Sequence, residues 1–355
     1  MEKSAKIYVA GHRGLVGSAI MRRLRAEGFE NIVTRSHAEL DLTNQEQVDA
    51  FFAQEKPEYV FLAAAKVGGI MANKTYPAEF IYKNLMIGCN VVEASYRNGV
   101  KKLLNLGSSC IYPRLAPQPM KEDALLTSEL EATNEAYAIA KIAAIKLCRY
   151  YNQQYGTNYI SVMPTNQYGA GDNFNMETAH LLPMLMRRFH LAKLLRQGDF
   201  EAIRRDLKKY RLGWGLDEKL NLEDEDSIVS ALAQVGAYKD KAVVWGDGSV
   251  FREMMDADDL ADACFYLMQN KDAKDIGELV NITDGTDIQL KNLIELTARI
   301  VGYDGKIEYD TTKPNGTPRK MMDATRIKAL GWSPKIRLED GIARAYRWYV
   351  ENTEN

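Results

Sequence analysis

Cysteine and histidine are both scarce in this sequence, at four residues each, and neither sign of charge dominates. Cys89, Cys110, Cys148 and Cys264 lack the short paired spacing of a zinc site or a redox dithiol, which excludes a disulfide framework. With so few histidines no metal site is expected. The 46 Lys and Arg against 48 Asp and Glu leave a formal net charge of -2, so no broad electrostatic surface for nucleic acid or an anionic membrane is present. No apolar run reaches the ~20 residues of a membrane helix. Met-Glu-Lys-Ser-Ala leads directly into a strand-like segment, and the expectation is a cytoplasmic chain without a cleaved signal peptide. What remains is ordinary globular material, 46% hydrophobic over 355 residues, enough for a sizeable core and two domains.

The first 165 residues alternate short apolar runs with longer segments of 3.6-residue periodicity. Lys6-Ile-Tyr-Val-Ala10, Asn31-Ile-Val-Thr34, Glu58-Tyr-Val-Phe-Leu62, Lys102-Leu-Leu-Asn-Leu106 and Tyr159-Ile-Ser-Val-Met163 read as strands. Residues 78–97 and 135–155 read as helices. Strands alternating with helices require crossover connections, so the expected fold is α/β: a Rossmann-like, doubly wound parallel sheet over residues 1–165. Residues 166–355 are expected to form a smaller, discontinuous α/β substrate domain, with some segments returning to the first. Residues 191–241 carry ten charges of each sign, basic ahead of acidic, and read as a solvated pair of surface helices, with a lid or oligomer contact as the alternative. Cys89, Cys148 and Cys264 lie in apolar-periodic stretches and read as buried hydrophobes. Cys110, in a Ser-Ser-Cys cluster, does not.

Gly11-His12-Arg13-Gly14-Leu15-Val16-Gly17 follows the first strand and opens a helix. In such a loop the first glycine permits the turn, the second lets backbone approach a pyrophosphate and the third lets helix pack on strand. The helix N-terminus offers unpaired N–H groups to the anion. An acidic residue about 20 positions further on would hold the ribose of NAD. Thr34-Arg35-Ser36-His37 stands there instead, and Arg13 with Arg35 suits the extra phosphate of NADPH. Asp41 is placed for the adenine edge.

Tyr137 and Lys141 are one helical turn apart, which puts phenol and ammonium on one face. A neighbouring lysine favours phenolate and is expected to lower the pKa of the phenol. Ser108 leaves the fourth strand at its C-terminal end, where open α/β sheets bind ligands. Together they make a site for interconverting a hydroxyl and a carbonyl by hydride transfer.

The glycine loop, Ser108 and Tyr-x-x-x-Lys resemble the extended branch of the short-chain dehydrogenase/reductases. Longer strings are more specific: Leu62-Ala-Ala-Ala-Lys-Val-Gly-Gly-Ile70, Gly107-Ser-Ser-Cys-Ile-Tyr-Pro113, Asn134-Glu-Ala-Tyr-Ala-Ile-Ala-Lys141, Met163-Pro-Thr-Asn166 and Lys313-Pro-Asn-Gly-Thr-Pro-Arg-Lys320. They resemble the GDP-L-fucose synthase family. That resemblance implies conversion of GDP-4-keto-6-deoxy-D-mannose to GDP-L-fucose with NADPH, by epimerisation at C3 and C5 and then reduction at C4. It implies Cys110 as base, His180 as acid, and Tyr137 as proton donor to the C4 oxygen, supported by Lys141 and Ser108. The cofactor would run along residues 11–17, at His37, Asp41 and Leu42, at Leu106, Gly107, Ser108 and Ser109, at Lys141, and at Pro164, Thr165, Asn166 and Gln167, with His180 at the nicotinamide end. Arg188, Trp245, Arg252 and Asp310 match positions used for the GDP-sugar. The superfamily commonly forms homodimers through the Tyr-x-x-x-Lys helix and its neighbour, and the Ala-rich face of residues 136–147 is compatible with that.

Two features depart from the family pattern: the long charged region at 191–241, and Met254-Met-Asp256 ahead of Asp258-Asp259, where an aromatic or histidine is usual. Two alternatives stay open. Another nucleotide-sugar reductase or epimerase of the superfamily needs Ser, Tyr and Lys but has no use for Cys110 with His180. A non-catalytic NADP-binding sensor needs none of them.

Overall fold

The computed structural model describes residues 1–313 and 315–354. Pro314, within the 313–320 string, lies outside the described residues, as do the side chains of Ile70 and Met71. Five strands of the first half, β1 (Ile7–Ala10), β2 (Ile32–Val33), β3 (Tyr59–Leu62), β4 (Lys102–Leu106) and β5 (Tyr159–Pro164), form one parallel sheet with a sixth, Val280–Ile282. The order across the sheet is Val280–Ile282, β5, β4, β3, β1, β2. Ala10 pairs with Leu62 and Leu106 with Val162, so the C-terminal ends of the central strands are aligned.

Strand alternation explains both layers. Ile7 and Val9 of β1, with Phe61, Leu104, Leu106, Ile160 and Val162, pack under the helices Leu15–Ala26 and Ala257–Asn270. Tyr8 and Ala10, with Val60, Leu62 and Leu103, face the helices Gln45–Glu55, Pro77–Arg97 and Glu135–Tyr155. Burying each such side chain contributes ~1.5–3 kcal/mol before entropy, so a sheet covered on both faces becomes the rigid part of the molecule. Cys148 and Cys264 are buried as expected, whereas Cys89 is exposed, on the outer side of Pro77–Arg97.

The chain divides into two compact units. One comprises 1–167, 255–286 and 321–335, and the other 168–254, 287–320 and 336–355. In the second unit the parallel strand pair Lys241–Trp245 and Lys306–Asp310 accompanies the helices Leu181–Gln197, Leu290–Val301 and Leu338–Glu354.

The charged 191–241 region is not a solvated decoration. Its helices Phe200–Lys209 and Glu225–Gln234 are amphipathic, and Ile203, Leu207, Ile228 and Leu232 enter the core of the second unit. Asp206 is fully buried. It accepts from Arg187 Nε at 2.9 Å and from the Tyr349 hydroxyl. The Arg187 guanidinium also donates to the carbonyls of Phe174, Tyr210 and Arg211. One buried ion pair thus ties the region to two other elements, which local charge pattern does not reveal.

Candidate active site

The glycine loop stands where the sheet order reverses, since β1 leads outward to β2 before the chain returns to β3 on the other side. Gly11 has φ +80°, and a Cβ there would lie 2.7 Å from the Ala63 carbonyl oxygen. A Cβ on Gly17 would lie 2.1 Å from the Gly11 oxygen. Gly14 caps the helix Leu15–Ala26 without any side-chain bond, so the first N–H groups of that helix are left for a ligand. These backbone approaches fit a dinucleotide pyrophosphate. His12 is half-buried; desolvation and the nearby Arg13 charge lower its pKa, so its ring is neutral at pH 7. Arg13 is exposed.

At the end of β2 the expected cations are partly engaged. Arg35 pairs with Glu55 at 2.6 Å and lies over the Phe51 ring. Ser36 donates to Glu39 through its N–H and its hydroxyl. His37 is exposed, 3.8 Å from Asp41, and the Asp41 carboxylate holds a turn by accepting from the Thr43 N–H and hydroxyl. Leu42 is buried and its carbonyl accepts from Asn90.

Four of the five expected catalytic side chains come together beyond β4. Gly107 leaves room there for the Met163 side chain, whose sulfur a Cβ would meet at 2.3 Å. Ser108 is extended and caps the short turn Ser109–Ile111, and its Oγ accepts from the Cys110 N–H at 3.4 Å. Tyr137, in the first turn of Glu135–Tyr155, has its phenol close enough to the Ser108 side chain for that hydroxyl to lower its pKa. Lys141, buried, donates to the Leu106 carbonyl at 2.7 Å, with its Nζ 5.8 Å from the Tyr137 ring centre. Cys110 is buried, close enough for a charge on its sulfur to act on both Tyr137 and Lys141.

The electrostatics differ from the expectation for a Tyr–Lys pair. Burial, and then the Cys110 charge, push the Tyr137 phenol above its ordinary value, against a lowering by Ser108. Burial pulls Lys141 down to about 8, with Cys110 opposing. In this arrangement burial and the Cys110 charge outweigh the lowering by Ser108, so Tyr137 is held as a phenol, a proton donor.

Sequence reasoning missed the support around Tyr137. Phe80 meets its ring edge-on at 6.3 Å. The buried Asn84 side chain accepts from the Lys66 N–H and donates to the Lys66 and Phe80 carbonyls, fixing the segment after β3. Only the 3.6-residue periodicity of that helix hinted at these contacts. Beyond β5, Pro164 leads to buried Thr165, whose carbonyl accepts from Gln167, and to exposed Asn166.

The remaining expected residues belong to the second unit. His180 stands at the N-cap of Leu181–Gln197 without a side-chain capping bond, and desolvation of its ring lowers its pKa, which favours neutral imidazole. Arg188, on the same helix, is buried. Its Nε donates to the Val235 carbonyl at 2.8 Å, one terminal nitrogen has no partner, and burial lowers its pKa to about 10. Trp245 and Asp310 are register partners at the ends of their strands. Asp310 accepts from the Thr312 N–H and hydroxyl. Trp245 is 45% exposed, and Arg252 donates to the carbonyls of Asn315 and Thr317 on the loop beyond Asp310. Trp245, Asp310 and Arg252 are thus gathered around one loop, whereas Arg188 is held beneath the Val235 turn.

A glycine-loop dinucleotide fold with a Ser-Tyr-Lys group at the sheet's C-terminal edge defines an oxidoreductase-type α/β protein, and the chain belongs to the NAD dependent epimerase/dehydratase family, whose model matches residues 7–207 and 219–283. Its full-length relatives include GDP-L-fucose synthase 1 of Arabidopsis thaliana, 51% identical over 100% of this chain and 96% of the relative. The GDP-L-fucose synthase of Escherichia coli (strain K12) is 43% identical, with 98% of each covered. Among solved structures, a GDP-D-glycero-L-gluco-heptose synthase from Campylobacter jejuni, determined in the presence of NADPH, aligns with a TM-score of 0.90 at 41% identity, covering 98% of this chain and 99% of that one.

Proposed function

We infer that this chain converts GDP-4-keto-6-deoxy-D-mannose to GDP-L-fucose, inverting C3 and C5 and then reducing the C4 ketone with NADPH. The observation that carries the reading is the thiol of Cys110 beside the Ser108–Tyr137–Lys141 group, since a plain reductase has no need of a base there. NADPH supplies the hydride that reaches C4.

The protein's own groups account for the rest. Ser108 and Tyr137 hydrogen-bond the C4 oxygen, and donors fixed there stabilise the enolate formed when a proton leaves C3 or C5. Cys110 as thiolate takes that proton. The same negative charge keeps Tyr137 a phenol and Lys141 an ammonium, so a single ionisation sets all three groups for the first stage. His180, taking up a proton from solvent before each inversion, delivers it to the opposite face of the carbon, and Cys110 releases the proton it took to solvent before the next abstraction. In the last stage Tyr137 gives its proton to the C4 oxygen, and Lys141 stabilises the phenolate left behind.

Arg188, with a guanidinium nitrogen left over, and Arg252 serve the diphosphate, and Trp245 offers a ring to the nucleotide. The enzyme works as a homodimer through Pro77–Arg97 and Glu135–Tyr155, a reading supported by the exposed Tyr82, Ile139 and Tyr150 on that pair. A cytoplasmic location is supported by four free thiols.

Product analysis after turnover in heavy water tests the chemistry. The expected product is GDP-L-fucose carrying deuterium at C3 and C5. Tyr137→Phe should abolish NADPH oxidation while leaving some exchange at C3, where Ser108 still stabilises the enolate, whereas Cys110→Ser should suppress exchange. Normal exchange in the Cys110 variant would remove that residue as the base.

A further inference from the structure

The segment that leads to His180, residues 172–180, forms neither helix nor strand. Side chains give it its shape instead. Asp172 Oδ1 accepts from the Asn173 N–H, Asn173 Oδ1 from the Asn175 N–H, and Asn175 Oδ1 from the N–H groups of Glu177 and Thr178. Such bonds set local turns but do not fix where the segment lies. The charged 191–241 region supplies that. The Arg187 guanidinium donates to the carbonyls of both Phe174 and Arg211, and the Met176 N–H donates to the same Arg211 carbonyl at 3.4 Å. Three residues before His180, Glu177 completes the attachment: its Oε2 accepts from the Trp214 N–H at 2.8 Å.

The loop on the other side is shaped for that bond. Gly213, Trp214 and Gly215 all have positive φ, at +84°, +49° and +68°. A left-handed backbone is ordinary for glycine and unfavourable for tryptophan. The Trp214 ring is 44% exposed, so its packing explains little of that conformation, whereas the Glu177 bond uses it. Asp217 accepts from the Leu212 and Gly213 N–H groups, each at 2.8 Å, and the next amide, that of Trp214, goes to Glu177. Two carboxylates thus take three successive amides, one acid from within the loop and one from the segment that ends at His180. Gly213 lies directly against the second acid, since a Cβ there would stand 2.4 Å from Glu177 Cβ.

We propose that Glu177 is a positioning residue for His180: the charged region carries a clasp, the Trp214 amide, that holds the segment so that the His180 proton reaches the carbon being inverted. The proposal rests on the reading of His180 as the acid of each inversion. It gives the charged region a part in the epimerisation stage, and none in the reduction at C4, which uses Tyr137 as its proton donor.

The whole protein loaded with NADP⁺ and given GDP-4-keto-6-deoxy-D-mannose in heavy water separates the two proton transfers, because no hydride is available to reduce the ketone. Cys110 takes a proton from C3 or C5, trades it for a deuteron from solvent and returns that to the same face, which is exchange without inversion. Delivery from His180 inverts the carbon. Borohydride quenching, separation of the released sugars by configuration and mass spectrometry give the ratio of inverted to exchanged carbon. Glu177→Ala is expected to lower that ratio about tenfold and keep exchange within about threefold, since a charge-assisted bond is lost and the proton donor is misplaced. Glu177→Gln keeps an acceptor oxygen for the Trp214 N–H and should hold the ratio within about threefold of native. A native ratio in Glu177→Ala overturns the proposal. So does an equal fall in inversion and exchange, which would make the bond a matter of general folding. A Glu177→Gln ratio as low as that of the alanine variant also overturns it, since charge and not the amide bond would then be in control. His180→Gln tests the underlying reading: it should abolish inversion and keep exchange, and a variant that still inverts removes His180 as the acid whatever Glu177 does.

Discussion

Lys141 shows how far a four-residue spacing determines chemistry. The spacing places Tyr137 and Lys141 on one face, but burial decides their proton affinities, and it moves both toward the neutral form. Because the Lys141 pKa falls from 10.5 to about 8, the ammonium is present below that pH and is lost above it. Reduction at C4 should therefore decline as pH rises through about 8, while Tyr137 stays a phenol throughout. A titration of the Lys141 side chain by NMR should give the same midpoint, and Cys110→Ser should lower it, since the Cys110 charge raises the lysine. A rise in that variant would contradict the coupling. Ser108, Tyr137 and Lys141 were legible in the sequence because the signal is local. Arg35 as a paired cation was not, because Glu55 stands 20 residues away and no periodicity connects the two.

The glycine loop carries the clearest test among the structural elements. Gly17→Ala puts a Cβ 2.1 Å from the Gly11 oxygen, a backbone atom that cannot rotate aside, whereas Gly14→Ala puts one at 3.5 Å in open contact. Gly17→Ala should cost about 1–3 kcal/mol by overpacking the helix against the loop, and NADPH binding with it. Gly14→Ala should melt at nearly the native temperature, so any loss of NADPH affinity in that variant reports the approach of the pyrophosphate alone. Equal melting points for the two would show that the loop relaxes more than its packing allows. All five first-half strands were legible to within a residue at each end, because each is an apolar run between turn signals; β2 keeps only the Ile-Val centre of its four-residue run. The sixth, Val280–Ile282, was not placed in the sheet from sequence. It is three residues long and joins β5 from more than 100 residues downstream, a pairing set by topology.

At the scale of the whole molecule, near-zero net charge conceals a local arrangement in the second unit. Residues 191–241 looked like exposed helices because their charges balance, yet the segment supplies core side chains and the acid of a fully buried ion pair. Three carbonyls and a tyrosine hydroxyl surround the Arg187–Asp206 pair, so its charges are satisfied only as a set. Removing one member is worse than removing the pair, because an unpaired buried cation keeps its full desolvation penalty. Asp206→Ala should lower stability by about 3–5 kcal/mol, whereas Arg187→Met with Asp206→Leu should recover much of that loss. Urea unfolding measures both values, and amide exchange locates the effect, which is expected in peptides of residues 168–254. If the double variant were as unstable as Asp206→Ala, the carbonyls held by Arg187, and not its charge, would be what keeps the charged segment folded into the core.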